Sequence, residues 1–566
     1  MSAGPRRELP DARAHELFEV QTRERPDAIA AVHGDQQLTY RELNARANQI
    51  ARALVRRGLT REGVVGVMTE RNLDWMAAVL AIFKAGGAYL PIEPHFPADR
   101  IAKMVSRSGC RLILNQSLIE TAYEEGHSDG DLRGDTRVTP DQLAYIYFTS
   151  GSTGEPKGAM CEHLGLLNHL FAKIDDLHID AETVVAQTAP QCFDISLWQL
   201  IAALLVGGRT LLVEQEIILD ASRFIDKLVE ANVNVVQVVP SYLDVVVSQL
   251  AQQPRALKDL RYVVATGEAL KKDLVERWFA VQPRIKLVNA YGLTETSDDT
   301  NHEIMDRPPS GERVPLGRPI NNVHIELVDE QLSPVPSGEV GEIVFSGVCV
   351  GRGYINDPER TQNAFLPGRR YRSGDYGRWL PDGKLEFLGR RDTQVKISGF
   401  RIEIGEIENA LLRVVGVRNG AVVVNKHLVA FYSAPQPLDA DELRKRLGET
   451  LPAYMVPAAF HWLKTLPLTE NGKVDRKALT ALAGELDATE QNGEVPSTAT
   501  EQRLAAAWAN VLGIPKEQIG RRDHFFDLGG TSLSALQLLI ALDRAMSFQE
   551  LAAHPILADQ AMLIER

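Results

Sequence analysis

The chain has 566 residues, of which 44% are hydrophobic and 24% charged, a composition typical of several globular domains. Its net charge of −13 argues against general nucleic-acid binding, because that binding depends on clustered Lys and Arg. No apolar leader and no stretch of about 20 apolar residues occurs, so we expect a cytoplasmic protein without a membrane span. The cysteines form no C-x-x-C pair and are predicted to be buried thiols, namely Cys110, Cys161, Cys192 and Cys349.

Helices and strands alternate over the first 300 residues. Leu43, Ala47, Ile50 and Leu54 have the spacing of one apolar helix face, and residues 64–68 predict a buried strand after it. A second apolar helix is predicted at 75–83, where paired glycines end it. The alternation predicts a largely parallel α/β sheet, with further strands at 210–213, 233–239, 261–265 and 286–288.

The sequence pattern changes at about residue 310, where the alternation of helices and strands ends. Short strands at 323–328 and 341–347 predict a β-rich subdomain, and the charged, glycine-rich segment 389–399 predicts a hinge near Asp392. A helix at 406–412 then begins a small α+β unit, a polar aperiodic segment is typical of a linker, and the remaining residues have helical spacing. The predicted domains are 1–391, 392–486 and 501–566, with the linker at 487–500.

A loop rich in small and hydroxyl side chains follows the apolar run 143–147. Its glycines, successive backbone N–H groups and Lys157 are typical of a site that holds phosphate. It is not a Walker loop, because no glycine precedes Lys157 and no hydroxyl follows it. Its chemistry alone leaves two alternatives, a phosphate clamp or a flexible surface loop. The candidate phosphate ligands are Thr149, Ser150, Gly151, Ser152, Thr153 and Lys157.

Three further segments offer polar groups for a ligand. Residues 289–295 place an aromatic ring, a hydroxyl and a carboxylate after a predicted strand, where α/β folds bind ligands, although a loop tyrosine with a helix-capping Thr-Glu pair is the alternative. Residues 371–375 predict an exposed turn whose Asp375 could accept from two sugar hydroxyls. Residues 471–476 form a turn with a single lysine, Lys473, a pattern more often found in solvated loops.

Taken in order, these motifs resemble the adenylate-forming superfamily and, within it, the adenylation domains of nonribosomal peptide synthetases, over about residues 20–485. Residues 193–196 (Phe-Asp-Ile-Ser) belong to the resemblance. Residues 523–533 resemble the phosphopantetheine attachment site of carrier domains, with Ser532 at a helix start as the modified residue. The departures are Leu293 for a usual proline, Ser398 for a frequent arginine, and shorter loops near residues 425 and 545.

The resemblance implies both a fold and two reactions. The fold is α/β plus α+β: a large adenylate-forming N-terminal domain, a small hinged C-terminal domain and an all-α four-helix carrier bundle. ATP and Mg²⁺ would activate an amino acid as an aminoacyl-adenylate, and 4′-phosphopantetheine on Ser532 would capture it as a thioester. Lys473 would bridge the substrate carboxylate and the adenylate oxygens, and the small domain would rotate about Asp392 between the two steps. The other implied site residues are Thr294 as catalytic, Glu295 as catalytic and Mg²⁺ ligand, and Asn289, Tyr291, Gly292, Asp375 and Arg390 as ATP contacts.

The implied substrate pocket begins with Asp194, which would pair with the α-ammonium group. At about 4 Å and an effective dielectric near 20, such a pair contributes about 4 kcal/mol before desolvation. Ile195 and Trp198 favour a small or branched side chain such as valine or threonine. Polar pocket positions leave a cationic or polar amino acid open. The remaining pocket positions are Gln237, Val264, Thr266, Ala290, Asp298 and Asp299.

The implied partners are an amino-acid substrate, a phosphopantetheinyl transferase, and a downstream condensation or tailoring enzyme in trans, because no condensation or thioesterase motif occurs. We expect neither nucleic acid nor a membrane as a partner. The alternative class is a coenzyme A ligase-like or luciferase-like enzyme, which Asp194 and the fused carrier oppose. A non-catalytic scaffold is opposed by the intact ATP-contact positions.

Overall fold

The computed structural model describes residues 2–565 apart from short gaps, and it divides the chain into two units. The first unit comprises Met1–Phe96, Ile101–Ser150 and Pro156–Arg401, and the second comprises Pro97–Arg100, Gly151–Glu155 and Ile402–Arg566. The gaps are 133–136, 152–154, 391–393, 398, 426, 469–473, 490–494, 513, 526–527, 529, 531, 543–544, 547–549 and 552–553, and only the backbone is described at 487–489, 518, 532–533, 536–537 and 540.

A nine-stranded sheet in the first unit carries most of the predicted strands. Val235–Val238 pairs in parallel with Val184–Gln187 on one side and Tyr262–Ala265 on the other. Strands buried on both faces need apolar residues at nearly every position, which explains the valine-rich run. The strands, in order, are Arg318–Pro319, Asp298–Met305, Lys286–Leu293, Tyr262–Ala265, Val235–Val238, Val184–Gln187, Arg209–Leu212, Ile29–His33 and Gln36–Thr39.

A second, six-stranded sheet takes the remaining early strands, so the alternation that predicted one sheet is divided between two. Leu143–Thr149 and Lys157–Glu162 pair antiparallel in this sheet, and the predicted phosphate loop joins them. The two ends of the loop, Thr149 and Lys157, are register partners. In order, the strands are Gly353–Tyr354, Lys157–Glu162, Leu143–Thr149, Ala88–Pro91, Val64–Met68 and Leu112–Asn115.

The helices of the first unit follow the predicted periodicity. Leu43, Ala47, Ile50 and Leu54 are fully buried on helix Tyr40–Arg56, whose start is capped by Thr39 and Glu42 in a reciprocal capping box. The helices are Ala14–Glu24, Tyr40–Arg56, Leu73–Lys84, Ala98–Ser108, Gln116–Glu124, His163–Asp176, Ile195–Ile201, Gln215–Ile218, Ala221–Glu230, Pro240–Gln252, Lys272–Val281 and Pro358–Ala364, with 3-10 turns at Ala202–Val206 and Thr294–Thr296.

A third, antiparallel sheet forms the predicted β-rich part, and it corrects one prediction. Residues 371–375 lie within strand Arg370–Trp379 rather than in an exposed turn, and Asp375 is 1% exposed. These residues form a strand because they pair with a neighbouring strand on each side, Gly341–Gly347 and Leu385–Arg390. The other strands are Ser2–Ala3, Val323–Val328 and Phe365–Leu366, and a separate hairpin joins Gln394–Ile397 to Phe400–Glu403.

The second unit holds a small α+β part and a helical part. The strands Asn419–Asn425, His427–Ser433 and Ala459–Trp462 form one sheet, accompanied by helices Ile404–Leu412, Ala440–Gly448 and Arg476–Thr489 and a 3-10 turn at Ala453–Met455. The last of these helices ends at Thr489, so the first three residues of the predicted linker are helical rather than aperiodic.

The C-terminal helices pack around their own apolar core. Leu504, Trp508, Phe525, Leu538 and Leu557 are fully buried there. None of the helices in the described part of the chain combines the length and apolar character that crossing a bilayer requires. The helices are Ala499–Leu512, Ser532–Ala541 and Leu557–Ile564, with a 3-10 turn at Lys516–Gln518.

All four cysteines are free thiols. Cys110, Cys161 and Cys349 are buried, as predicted, whereas Cys192 is partly exposed. Burial raises the pKa of both Cys161 and Cys349 to about 12, so these thiols stay protonated and unreactive.

Candidate active site

Three side chains predicted to contact ATP form one hydrogen-bonded group. The Tyr291 hydroxyl donates to Asp375 Oδ2 at 2.5 Å, and Arg390 Nη1 donates to Asp375 Oδ1 at 2.6 Å. Burial and the neighbouring carboxylate raise the pKa of Tyr291 well above its usual value, so the hydroxyl remains a donor. The ammonium of Lys396 lies 5.7 Å from the Tyr291 ring centroid. The group thus combines an aromatic ring with a fixed carboxylate.

The backbone beside this group requires glycine at two positions. A Cβ atom on Gly292 would lie 2.0 Å from the carbonyl oxygen of Asp298, because strand Asp298–Met305 pairs closely with Lys286–Leu293. Gly374 has a φ of +72°, and a Cβ there would lie 2.5 Å from Arg390 Nη2. Asn289, the remaining predicted ATP contact, donates from Nδ2 to the carbonyl of Pro315 at 2.7 Å.

Glu295 is fully buried between cations. Its Oε1 accepts from the Tyr354 hydroxyl at 2.7 Å and lies 3.3 Å from Lys157 Nζ, and its Oε2 accepts from Arg401 Nη1 at 2.8 Å. Although burial opposes ionisation, the charges of Arg401 and Lys157 lower the pKa of Glu295 well below its usual range. The sequence indicated Lys157 and Glu295 separately, but neither Tyr354 nor Arg401.

Replacing Glu295 with glutamine is expected to lower ATP-dependent activity by about 10²-fold and to destabilise the first unit by about 3–5 kcal/mol. The amide can still accept from Tyr354, but it no longer supplies the negative charge that Glu295 places beside Arg401 and Lys157. Pyrophosphate exchange and thermal unfolding measure the two effects. The control is Glu214→Gln, which breaks the 3.2 Å pair with Lys227 and should leave exchange unchanged. Equal losses in both variants would contradict a specific role for Glu295.

The predicted phosphate loop shows two groups suited to an anion. Among the described residues the Thr149 hydroxyl has no hydrogen-bond partner, whereas Ser150 Oγ donates to the carbonyl of Arg401 at 2.6 Å. In the second unit, the Gly151 N–H donates at 3.2 Å to Glu406, whose carboxylate also accepts from Arg100. The N–H of Gly151 therefore already binds an anionic group. Ser152 and Thr153 lie outside the described residues.

Asp194 lies immediately before helix Ile195–Ile201. Its Oδ1 accepts from the Ile195 N–H at 3.0 Å, and the Thr294 side chain hydrogen-bonds to its carboxylate. Burial raises the pKa of Asp194 to about 6, while the hydrogen bond from Thr294 opposes that shift. An ammonium group beside it would recover the cost of burying this charge.

The other predicted pocket residues are brought together by the nine-stranded sheet. Gln237 and Val264 are register partners, so their side chains share one face of the sheet. Thr266, two residues after Val264, donates from Oγ1 to the carbonyl of Ala290 at 3.0 Å and to Asp299 Oδ1 at 3.3 Å. Trp198 is fully buried, Asp298 and Asp299 are 5% and 1% exposed, and Ile195 is partly buried.

Three charged or polar residues of this pocket were missed from the sequence. Lys173 Nζ lies 2.6 Å from Asp299 Oδ2 and 4.7 Å from the Trp198 ring centroid. His169 Nδ1 lies 3.5 Å from Asp298 Oδ2, and His302 Nε2 lies 3.7 Å from Asp299 Oδ2. His169 and Lys173 are four apart on helix His163–Asp176 and therefore share a face, a spacing that could have indicated them.

One interpretation of this cluster of side chains is a metal-binding site. The side chains of His169, Asp298 and Asp299 each offer a ligand atom within 4.8 Å of the others. The Lys173 ammonium, however, already occupies one side of Asp299. The charge of Lys173 beside Asp299 opposes a divalent metal at this place.

Three predicted functional positions cannot be placed by side chain. Lys473 and Asp392 lie outside the described residues. Ser532 is described by its backbone, and helix Ser532–Ala541 begins at it, as predicted. A Cβ on the neighbouring Gly530 would lie 2.5 Å from Phe525, which explains the glycine before the attachment position.

Comparison with known proteins then assigns the family. The model of the AMP-binding enzyme family matches residues 18–355, more than half of the chain. The chain belongs to the AMP-binding enzyme family. The AMP-binding enzyme C-terminal domain model matches residues 406–473, and the phosphopantetheine attachment site model matches residues 502–561. The resemblance to an adenylation domain fused to a carrier domain, and the fold it implied, are confirmed for this AMP-binding enzyme.

The curated relatives that this chain matches are longer than the chain itself. Tyrocidine synthase 1 of Brevibacillus parabrevis is 37% identical over 97% of this chain and 52% of its own length, and bacitracin synthase 2 of Bacillus licheniformis is 36% identical over 99% and 22%. The AMP-binding enzyme thus spans between about a fifth and half of these relatives. The solved structure of holo-PA1221, an NRPS protein containing adenylation and PCP domains, matches 98% of this chain and 96% of its own with a TM-score of 0.80 at 26% identity.

Proposed function

We propose that this AMP-binding enzyme activates an α-amino acid with ATP and loads it onto its own carrier domain. A carboxylate oxygen of the amino acid attacks the α-phosphorus of ATP, and pyrophosphate leaves. The thiol of a phosphopantetheine arm on Ser532 then attacks the acyl carbon, loses its proton and displaces AMP. The observation that carries the proposal is the presence of adenylate-forming and carrier domains in one chain.

The geometry of the first unit supports the ATP assignments. Tyr291 offers a ring for the adenine, and Asp375, held by Arg390, offers a carboxylate for the ribose hydroxyls. The unpartnered Thr149 hydroxyl and the Lys157 ammonium suit the β- and γ-phosphates. In-line displacement depends mainly on positioning and charge stabilisation, and these fixed donors provide both.

Mg²⁺ fits the site through Glu295. A carboxylate oxygen is the ligand type that Mg²⁺ prefers, and this ion usually takes one or two carboxylates together with substrate phosphates. Glu295 is ionised and buried, and it is held at a strand end beside Lys157. When bound, the ion would neutralise phosphate charge. Lys157 and Arg401 contribute positive charge to the same place.

The substrate side chain has two candidates. The sequence favours a small or branched one, valine or threonine, because Ile195 and Trp198 narrow the pocket. The burial of Asp298 and Asp299 favours the alternative, a cationic amino acid. The α-ammonium is assigned to Asp194 in either case, and this assignment opposes the coenzyme A ligase-like alternative.

The proposal also implies partners. A phosphopantetheinyl transferase would install the arm, and a condensation or tailoring enzyme in trans would take the acyl group from it. The helix that begins at Ser532 directs the positive end of its dipole toward a phosphate there, which suits the phosphodiester link.

Intact-mass spectrometry tests the proposal directly. The holo-protein, incubated with ATP, Mg²⁺ and mixed amino acids, is expected to gain one acyl mass on the phosphopantetheine arm, mapped to Ser532 by peptide analysis. The gain should require ATP and be removed by hydroxylamine, which cleaves thioesters. Loading of a coenzyme A thiol in solution with none on Ser532 would instead support the ligase-like alternative.

A further inference from the structure

A pocket that binds only the α-ammonium of its substrate needs one anionic partner, but this pocket holds more. Asp194, Asp298 and Asp299 all carry carboxylates there, and Lys173 is the one Lys or Arg that pairs with any of them among the described residues. Lys173 neutralises Asp299. Under the proposed function the α-ammonium neutralises Asp194. Asp298 has no Lys or Arg partner of its own in the described part of the chain. Burial and the carboxylates of Asp299 and Asp194 raise the pKa of Asp298 well above its usual value, so an added cation beside it would favour its anionic form.

The two neighbouring aspartates differ in their charge partners. Asp299 Oδ2 lies 2.6 Å from the Lys173 ammonium, and its Oδ1 accepts from the Thr266 hydroxyl at 3.3 Å. Asp298 Oδ2 has no hydrogen-bond partner and no Lys or Arg partner among the described residues, and its nearest ionisable neighbour is His169 at 3.5 Å. Burial lowers the pKa of His169 to about 4, so the ring is neutral near pH 7 and supplies no charge.

Gln237 is a second unsatisfied group on the same side of the sheet. It is 1% exposed, and neither its Oε1 nor its Nε2 has a hydrogen-bond partner within the described ranges. Its register partner Val264 is two residues before Thr266, which contacts Asp299, so all three side chains face the pocket. Buried polar groups are normally hydrogen-bonded, so the two amide atoms of Gln237 are suited to bind a polar group of a substrate.

We propose, resting on the proposed function, that Asp298 is the counter-ion of a second ammonium group and that the substrate is a short diamino acid. An ammonium carries three donors and no acceptor, which matches Asp298 Oδ2 and Gln237 Oε1. A guanidinium carries five donors in a planar fork and would leave some unpaired. Trp198, fixed by the Lys173 ammonium against its ring, limits the length of the side chain.

Lys173 acts in this proposal as a positioning residue. It holds Asp299 from helix His163–Asp176, with His302 on the far side, and His302 is in turn bound to Asp176 at 2.7 Å. Asp299 therefore stays anionic and paired with Lys173. Only Asp298 is then available to pair with the second ammonium of the substrate. Small neutral side chains would leave that buried carboxylate unmatched.

Pyrophosphate exchange across a substrate ladder tests the inference. The ladder is 2,3-diaminopropionate, 2,4-diaminobutyrate, ornithine and lysine, with homoserine, 2-aminobutyrate, valine and threonine as neutral comparisons. We expect one of the two shortest diamino acids to exceed homoserine in kcat/KM by about 10²-fold or more, because an unmatched buried group penalises the analogue. Arginine should be poor.

Asp298→Asn should remove that preference, lowering kcat/KM for the diamino acid by about 10²-fold while leaving homoserine near its wild-type value. Asp220→Asn is the matched control, since Asp220 caps helix Ala221–Glu230 outside the pocket and should keep the wild-type ranking. If Asp298→Asn does not fold, the wild-type ladder decides alone.

The outcomes separate the inference from the proposed function. Preference for valine or threonine over every diamino acid would overturn the inference and leave amino-acid activation intact. Exchange with no amino acid at all would overturn both. A diamino preference that survives in Asp298→Asn would refute the assignment of Asp298.

Discussion

The Ser532→Ala variant is expected to keep amino-acid-dependent pyrophosphate exchange within about twofold of the wild type and to acquire no acyl group at all. Under the proposed function, exchange reports the first step, which is assigned to groups of the first unit such as Asp194, Asp375 and Glu295. Covalent loading is assigned to the Ser532 hydroxyl as the attachment point of the arm. Both quantities can be measured on one preparation, by isotope exchange and by intact mass.

We expect Lys473→Ala to lose exchange and to keep thioester formation, the opposite of Ser532→Ala. If Lys473 bridges the substrate carboxylate and the adenylate oxygens, as the resemblance implies, exchange should fall by about 10²–10³-fold. Thioester formation from a chemically supplied aminoacyl-adenylate should remain, if the lysine serves only the first step. Equal losses in both steps would contradict the proposed rotation of the small domain between them.

A neighbouring serine controls for damage to the carrier helix. Ser534 lies two positions after Ser532 in helix Ser532–Ala541 and is 8% exposed. Because the Ser534 side chain is buried, we do not expect it to be the attachment point of the arm. We expect Ser534→Ala to acquire the acyl group as the wild type does. Acyl mass appearing on Ser532→Ala would show that another residue carries the arm and would overturn the assignment of Ser532.

The fold was predictable where the apolar pattern is local. The stripe at Leu43, Ala47, Ile50 and Leu54 determines helix Tyr40–Arg56, and it is buried as its spacing requires. What the sequence could not show is pairing between distant strands. The predicted strand ends at residue 288, yet residues 289–293 extend it as strand Lys286–Leu293, because the antiparallel strand Asp298–Met305 supplies their hydrogen bonds.

The sequence proposes the site as a set of positions, but it does not show how their side chains contact one another. Motif resemblance identified Glu295 and Lys157 separately, whereas their meeting with Arg401 depends on a residue more than 100 positions away. The ion pair of Lys173 with Asp299 likewise joins residues that are more than 100 positions apart. A charged residue on a buried helix face is a local signal, but its partner is visible only in three dimensions.

Replacing Asp194 with asparagine is expected to lower kcat/KM for the amino acid by about 10²–10³-fold. A pair at about 4 Å in an effective dielectric near 20 contributes about 4 kcal/mol, from which the desolvation of both groups is subtracted. Asparagine keeps the size of the side chain and its hydrogen bond with Ile195 while removing the charge. The KM for ATP should change little, because Tyr291, Asp375 and Arg390 are untouched.

The pH dependence gives this variant a second readout. Burial raises the pKa of Asp194 to about 6, with Asp299 adding to the shift, so the carboxylate of the free enzyme is protonated below that pH. The substrate α-ammonium binds the anion. Wild-type kcat/KM should therefore rise as the pH increases through about 6 and then level off, since this parameter reports the free enzyme.

Asp194→Asn should lack the step near pH 6, whereas the control Asp220→Asn should retain it.

The raised pKa of Asp194 affects the stability of the fold in the opposite direction from activity as the pH rises. The folded state binds the Asp194 proton more tightly than the unfolded state does, so its contribution favours folding at low pH and declines as the pH rises from about 4 to about 6. Asp194→Asn should therefore gain stability relative to the wild type above pH 6 while losing activity. A variant that loses both would show that Asp194 holds the pocket together rather than recognising the substrate.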